Sequence, residues 1–408
     1  MKLMIVGGGE AQLNAIKRAR SLGFTVVVSD MNPNCPGALE ADFFIKASTF
    51  SFKETYMAAK KAEVNAILTL GTDQPVLPVA ETAAEMGLPT GISVEAALSV
   101  TNKRIMKPIF ERNGIPTCKF KLISNNSESA ELDGLIYPLV IKPVDSQGQR
   151  GVYKIRNWKD LKGFISDVLS YSRENEVLVE EFYESDEITI SAWSVDGQFY
   201  PLTITDRVCV SNGSHIGVCT SHEYPSKYLK EYGEDIISIS KNCVNSFKIK
   251  NGPVYIQMLI GKEGIKVNEI ASRIGGAYED EFIPAITGVD ILNLQFELAT
   301  KGKVNDTVLK EYQFPSQSFG SVILFFTKPG IVKSNGDIDI VKKITGVVNG
   351  KYILLPGITV GDRENSTGRA GYVAIQSKSK TKLEELKKNV YSLLEVIDMN
   401  GENILCDF

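Results

Sequence analysis

Apolar residues open the chain in short blocks, and glycines close them. Lys2 to Val6 reads as a buried strand, Gly7-Gly8-Gly9 turns the chain, and apolar positions at helical spacing run from about Gln12 to Leu22. Thr25 to Asp30 is a second strand. The unit recurs in Ala66 to Leu70 before Gly71-Thr72-Asp73, and in a helix from Val76 to Met86 that Gly87 ends. Strands alternating with helices imply a parallel sheet with covered faces, so residues 1–93 are expected to form a small Rossmann-like unit.

The period then changes. Two short helices between Val94 and Asn113 carry Lys103, and Gly114-Ile115-Pro116 breaks the second. Strands at 118–123, 138–142, 151–155 and 177–182 around a helix at 158–171 describe a small α+β unit, about 117–184. A strand-rich stretch from 187 to 224, a helix at 229–246 and a hairpin of 253–260 and 264–270 follow. Beyond Ala299-Thr300-Lys301-Gly302 come further strands and an amphipathic helix, Thr381 to Leu394. The expected class is therefore α/β and α+β, multidomain, with units at 1–93, 94–300 and 301–408.

Composition narrows the function. A chain of 408 residues, 43% hydrophobic and 23% charged, suits two to four units around a shared cleft. A net charge of -4 argues against a general nucleic-acid or membrane-surface binder, which needs a positive field. Six cysteines without a C-x-x-C pair read as reduced thiols of a cytoplasmic protein. No apolar run reaches the length of about 18 residues that a membrane span needs, and the start has no signal-peptide pattern.

Four segments carry candidate chemistry. Gly7-Gly8-Gly9 with Asp30 is suggestive of dinucleotide binding, but Gln12 stands where G-x-G-x-x-G needs its third glycine, so tight strand-to-helix packing is the first reading. Lys142 projects from the strand Pro138 to Pro143 beside the glycine-containing loop Ser146-Gln147-Gly148-Gln149-Arg150-Gly151. One cation and several backbone N–H groups are thereby placed around polyphosphate oxygens. Glu180, Glu181 and Phe182 end a strand, where backbone groups can meet an adenine edge, and Glu187 can accept from ribose hydroxyls. The last segment pairs Gln257 with Glu269 across a hairpin. Oxygen ligands so placed suit Mg²⁺, and Arg273 with Gly275-Gly276 follows to hold a phosphoryl group or a substrate carboxylate.

In this order and spacing the segments resemble the ATP-grasp superfamily over essentially the whole chain. The resemblance implies a pre-ATP-grasp unit at the start, an ATP-grasp core with a mobile lid at 146–151, and a C-terminal closing domain. Lys103 and Lys142 match the family's two phosphate-contacting lysines, and Glu180 to Phe182 its adenine hinge. Glu187 matches its ribose acid, Glu269 its magnesium ligand, and Arg273 the arginine that follows. Gln257 stands where a second acidic ligand is common and Ala271 where many members have asparagine, which leaves open one metal ion or two. The string Glu269-Ile270-Ala271-Ser272-Arg273 is similar to that of L-amino-acid and dipeptide ligases. Gly368 to Ala374, with Arg369 as a substrate contact, resembles the closing domain of phosphoribosylglycinamide-synthetase-like ligases and of dipeptide ligases; carbamoyl-phosphate synthase-like proteins look alike too.

The activity so implied is ATP-dependent amide formation. A carboxylate, first of all an amino acid, is activated as an acyl phosphate and passed to an amine, with ATP and Mg²⁺, replaceable by Mn²⁺, and with a homodimer by analogy. His215, His222 and Glu223 are candidates for the base, or for structural roles. Competing readings are condensation of phosphoribosylamine with glycine, with Arg207, Arg363 and Arg369 around the sugar phosphate; a catalytically silent ATP binder; and a nicotinamide-dependent oxidoreductase.

Overall fold

The computed structural model describes residues 1–212, 215–362, 365 and 368–406. Its first strand, Lys2–Val6, faces two cores: Leu3 and Ile5 enter one apolar cluster, Met4 and Val6 another. Burial on both faces is what a helix-covered parallel strand requires. Thr25–Asp30 and Ala66–Leu68 flank it in parallel, and Phe43–Lys46 adds an outer strand beside Thr25–Asp30. That fourth strand and the helix Phe52–Ala62 lack a clean sequence signal, because Phe43 lies at the sheet edge with 56% of its surface exposed.

The opening turn packs as the missing third glycine suggested. Gln12 fills it: its Oε1 accepts from the Gly9 N–H at 3.0 Å and its Nε2 donates to Leu70 O at 2.6 Å. Asp30 is likewise engaged, accepting from the Gly8 N–H at 2.9 Å.

A second sheet, twelve-stranded among the described residues, runs through the rest of the chain. The hairpin Gly252–Gly261/Gly264–Ala271 leads to Ser185–Val195, Gln198–Asn212 and His215–Tyr224. From there the sheet forks. Where His215 pairs with Tyr153, it continues into Tyr153–Ile155, Leu139–Pro143, Glu176–Glu181 and Phe120–Ser124. At Ser221 to Tyr224 it pairs instead with Phe319–Phe325, and then with Gly371–Ser377 and Val347–Tyr352. The cleft described below is lined from the first arm, the central strands and the hairpin. A third sheet, Thr359–Val360, Gly330–Asn335 and Val396–Asp398, lies near the C-terminus.

One core welds the first unit to the second. Trp193, wholly buried, shares a cluster with Leu3, Ile5, Ile274, Ile283 and Leu294. Beside it the Gly71 N–H donates to Ile274 O at 3.0 Å, which brings the Gly71-Thr72-Asp73 turn over Arg273. No single helix among the described residues is long and apolar enough to cross a membrane.

Candidate active site

The cleft is a cavity of about 610 Å³ between the lid strands and the Gly252–Ala271 hairpin. Lys142 reaches it from Leu139–Pro143, a strand buried at all five positions. Its Nζ bonds Glu180 and donates to Asn268 Oδ1 at 3.0 Å. Lys103 is the first residue of the helix Lys103–Arg112, which Asn102 caps by accepting from the Arg104 N–H at 2.9 Å. From this fixed start Lys103 Nζ donates to Ser146 O at 3.1 Å and lies 3.5 Å from Glu269 Oε2.

Glu269 faces Gln257 across the hairpin, as the spacing predicts. Burial alone would raise its carboxyl, but Lys103, Lys142, Arg273 and Arg207 together hold it below the usual carboxylate range. A half-buried ionised carboxylate with an amide oxygen opposite supplies the hard oxygen donors that a hydrated divalent ion takes. No group of three or more His, Cys, Asp or Glu among the described residues is arranged to hold a metal. Across the hairpin Glu269 offers one carboxylate and Gln257 one amide, and further ligands of a bound Mg²⁺ would come from phosphates and water.

The lid loop turns on backbone in the left-handed region at Gly148, Gln149 and Gly151, with φ of 69°, 58° and 67°. Ser146 is buried beside the cleft with no partner for its hydroxyl, a donor suited to an incoming oxyanion. Gln147 Oε1 accepts from the Asp73 N–H, so the lid rests on the first unit. Asp73 in turn grips Arg273 through two bonds, Nε–Oδ1 at 2.7 Å and Nη2–Oδ2 at 3.2 Å. The Arg273 guanidinium also lies 4.6 Å from the Tyr255 ring.

Several expectations change in detail. The N–H groups of Glu181 and Phe182 already donate to Lys119 O (3.0 Å) and Pro138 O (2.9 Å), so these amides are not the ones an adenine edge would use. The Glu180 side chain turns inward between lysines. Glu187 lines the cleft but is paired with Arg207, which also donates to Gly217 O at 3.1 Å. Arg207 lines the same cleft and is committed there to Glu187.

Gly275 does not offer its amide to a substrate: the N–H is held by Glu279 Oε2 at 2.9 Å, and a Cβ there would sit 2.4 Å from that carboxyl. A Cβ on Gly276 would lie 2.4 Å from Gly71 O, so both glycines permit close packing. Arg369 donates to Gly276 O at 3.4 Å, near the stacked rings of Tyr278 and Tyr372. Neither His222 nor Glu223 lines the cleft: His222 meets Thr205 Oγ1 at 3.3 Å, and Glu223 binds Lys387 at 3.0 Å and Ser321 at 2.9 Å. The His215 side chain and Arg363 lie outside the described residues.

Comparison with known proteins identifies the domain that holds the cleft. Residues 88–277 match the ATP-grasp domain, and residues 1–97 match the alanine dehydrogenase/PNT C-terminal domain. This chain carries an ATP-grasp domain. Among its curated relatives, a phosphoribosylamine–glycine ligase of Methanococcus vannielii is 27% identical over 331 residues, 73% of each chain. An L-arginine-specific L-amino acid ligase of Bacillus subtilis is 22% identical over 293 residues, 68% of this chain and 67% of the relative. An L-amino acid ligase from Bacillus licheniformis superposes with a TM-score of 0.81 at 19% identity, covering 98% of this chain and 99% of the other.

Asp73, Asn268 and Lys107 bond to Arg273, Lys142 and Glu180 in turn and were not singled out by sequence. Asp280 lies close by on the helix Glu279–Thr287, 6% exposed, accepting from Asn14 Nδ2 at 2.8 Å. Burial, then Glu281, push its carboxyl up to about 7 from 3.8. With the folded value raised, the stabilising form is the protonated one: its contribution is complete below about pH 4 and lost as pH rises through about 7. Asp280→Asn is expected to raise stability at pH 8 by about 2–4 kcal/mol and to flatten the pH dependence of melting between pH 4 and 7. Melting curves of both proteins across that range provide the check.

Proposed function

We propose that this enzyme joins a carboxylate, first of all that of an amino acid, to an amine through an acyl phosphate, releasing ADP and phosphate. The observation that carries the reading is the meeting of Lys103, Lys142 and ionised Glu269 under the lid, with Arg273 one strand-end away. Phosphoryl transfer needs little covalent help from a protein; it needs positioning and cations where charge spreads. Lys142 and Lys103 would neutralise the polyphosphate, and the Ser146 hydroxyl would donate to it. Glu187 would hold the ribose, and Phe182 would line the adenine end.

Glu269 and Gln257 would hold Mg²⁺, which when bound neutralises the transferring phosphoryl group. Arg273 would bind the substrate carboxylate or the phosphoryl group, aligned by Asp73. The lid, already leaning on Asp73, would shield the acyl phosphate from water. Arg369, beside Gly276, would contact substrate at the far wall.

Two observations support an amino acid over a sugar-phosphate amine. The Glu269-to-Arg273 string is of the amino-acid-ligase kind, and Arg207, a cation a sugar phosphate would need, is committed to Glu187. The likeness to a phosphoribosylamine–glycine ligase keeps that reaction as the second reading. Cytoplasmic location, small-molecule partners and a homodimer belong to the same proposal. The test is release of ADP and phosphate from Mg-ATP with pooled amino acids, or with phosphoribosylamine plus glycine, against a Lys142→Ala blank. Release with amino acids supports the first reading and release only with the sugar amine the second. ATP binding without release in either arm supports a silent binder.

A further inference from the structure

Lys107 lies one turn after Lys103 on the same helix, and it is 1% exposed. A lysine buried so completely needs a reason, because desolvation disfavours its charge. Its Nζ lies 2.8 Å from Glu180 Oε2 and donates to Thr117 Oγ1 at 3.0 Å. Thr117 passes the connection on, donating to Val267 O at 2.9 Å, next to the Asn268 that accepts from Lys142. One ammonium group thus ties the first-lysine helix, the hinge strand and the metal hairpin together.

The charges give this arrangement a purpose. Glu180 is 5% exposed and lies between Lys107 and Lys142. Burial would raise its carboxyl, yet the two lysines hold it at about 2, so it stays an anion. Without Lys107, Glu180 and Lys142 would cancel, and drawing Lys142 toward phosphate would strand a buried carboxylate facing more negative charge. With Lys107 the trio carries one net positive charge; Lys142 and Glu180 line the cleft, and Lys107 stands behind them. The nearby Cys118 thiol, pushed up by burial, adds no charge.

We propose that Lys107 is a positioning residue that holds the Glu180 charge, so that Lys142 remains an available cation for the polyphosphate of the nucleotide. The proposal rests on the nucleotide-binding part of the reading above. It explains why a second lysine is buried away from the cleft lining.

Calorimetry of the full chain with Mg-ATP and with adenosine tests it on four proteins: wild type, Lys107→Met, Glu180→Gln and the double variant. The trio's charge is positive by one in wild type and in the double variant, zero in Lys107→Met and positive by two in Glu180→Gln. Lys107→Met should weaken Mg-ATP binding roughly tenfold or more, and adenosine by less than about twofold. The double variant should recover to within about threefold of wild type, with Glu180→Gln at least as tight as wild type.

Equal losses for ATP and adenosine would mark Lys107 as merely structural and overturn the proposal, as would a double variant no better than Lys107→Met. Should Lys107→Met fail to fold, the double variant must still bind ATP more weakly than Glu180→Gln; equality overturns the proposal. Absence of Mg-ATP binding by wild type would instead overturn the nucleotide reading, and this inference with it.

Discussion

Glu269→Gln is expected to lower ATP turnover by about 10²–10³-fold while leaving metal-free nucleotide bound at least as tightly as in wild type. The two effects separate because the carboxylate has two roles. It is the acid that faces Gln257 across the hairpin, so its loss would remove the charged end of the proposed metal site. It is also the counter-ion of Lys103, 3.5 Å away, and is held ionised by Lys142 and Arg273 as well. Neutralising it leaves those cations with less to balance them, and a bare polyphosphate gains. Binding measured with excess Mg²⁺ and again with a chelator, beside turnover, checks both halves. A variant that loses nucleotide equally with and without metal would place Glu269 in folding instead of metal binding.

The second large effect is expected at Arg273. Arg273→Lys should cost about 10²-fold in turnover, since an ammonium cannot reproduce a two-pronged bond to Asp73 while meeting an oxyanion. Asp73→Ala should lower stability by roughly 3 kcal/mol, because it leaves a guanidinium that is only 7% exposed without its partner. The pair also joins the first unit to the hairpin, and Asp73 supports lid residue Gln147. Turnover of Asp73→Ala should therefore fall with that of Arg273→Lys, and thermal melting together with steady-state kinetics on both variants is the check. Unchanged turnover in both would remove this pair from the mechanism.

Much of the fold was legible because its signals are local. The helices Val76–Met86 and Leu229–Ser246 lie where apolar spacing and flanking turns put them, and the Gly261 to Gly264 turn announces the hairpin that sets Gln257 opposite Glu269. What escaped is long-range. Asp73 and Arg273 are 200 residues apart, and Lys107 and Glu180 meet only once the helix packs on the hinge strand. The one available hint for Lys107 was its place four residues after Lys103, on the same helical face. Partner choice was also hidden: the direction of the Glu180 side chain, the capture of Glu187 by Arg207 and the filling of the Gly275 amide by Glu279 depend on neighbours far along the chain.

The most direct test of the central claim follows the oxygen of the substrate. The enzyme would be given Mg-ATP and amino acids whose carboxylates carry heavy oxygen, with added amine, and the released phosphate weighed by mass spectrometry. Attack of the carboxylate on the terminal phosphorus, followed by amine capture at carbon, predicts one heavy oxygen in each phosphate formed. Phosphate released without label, or label appearing in AMP, would contradict an acyl-phosphate ligase.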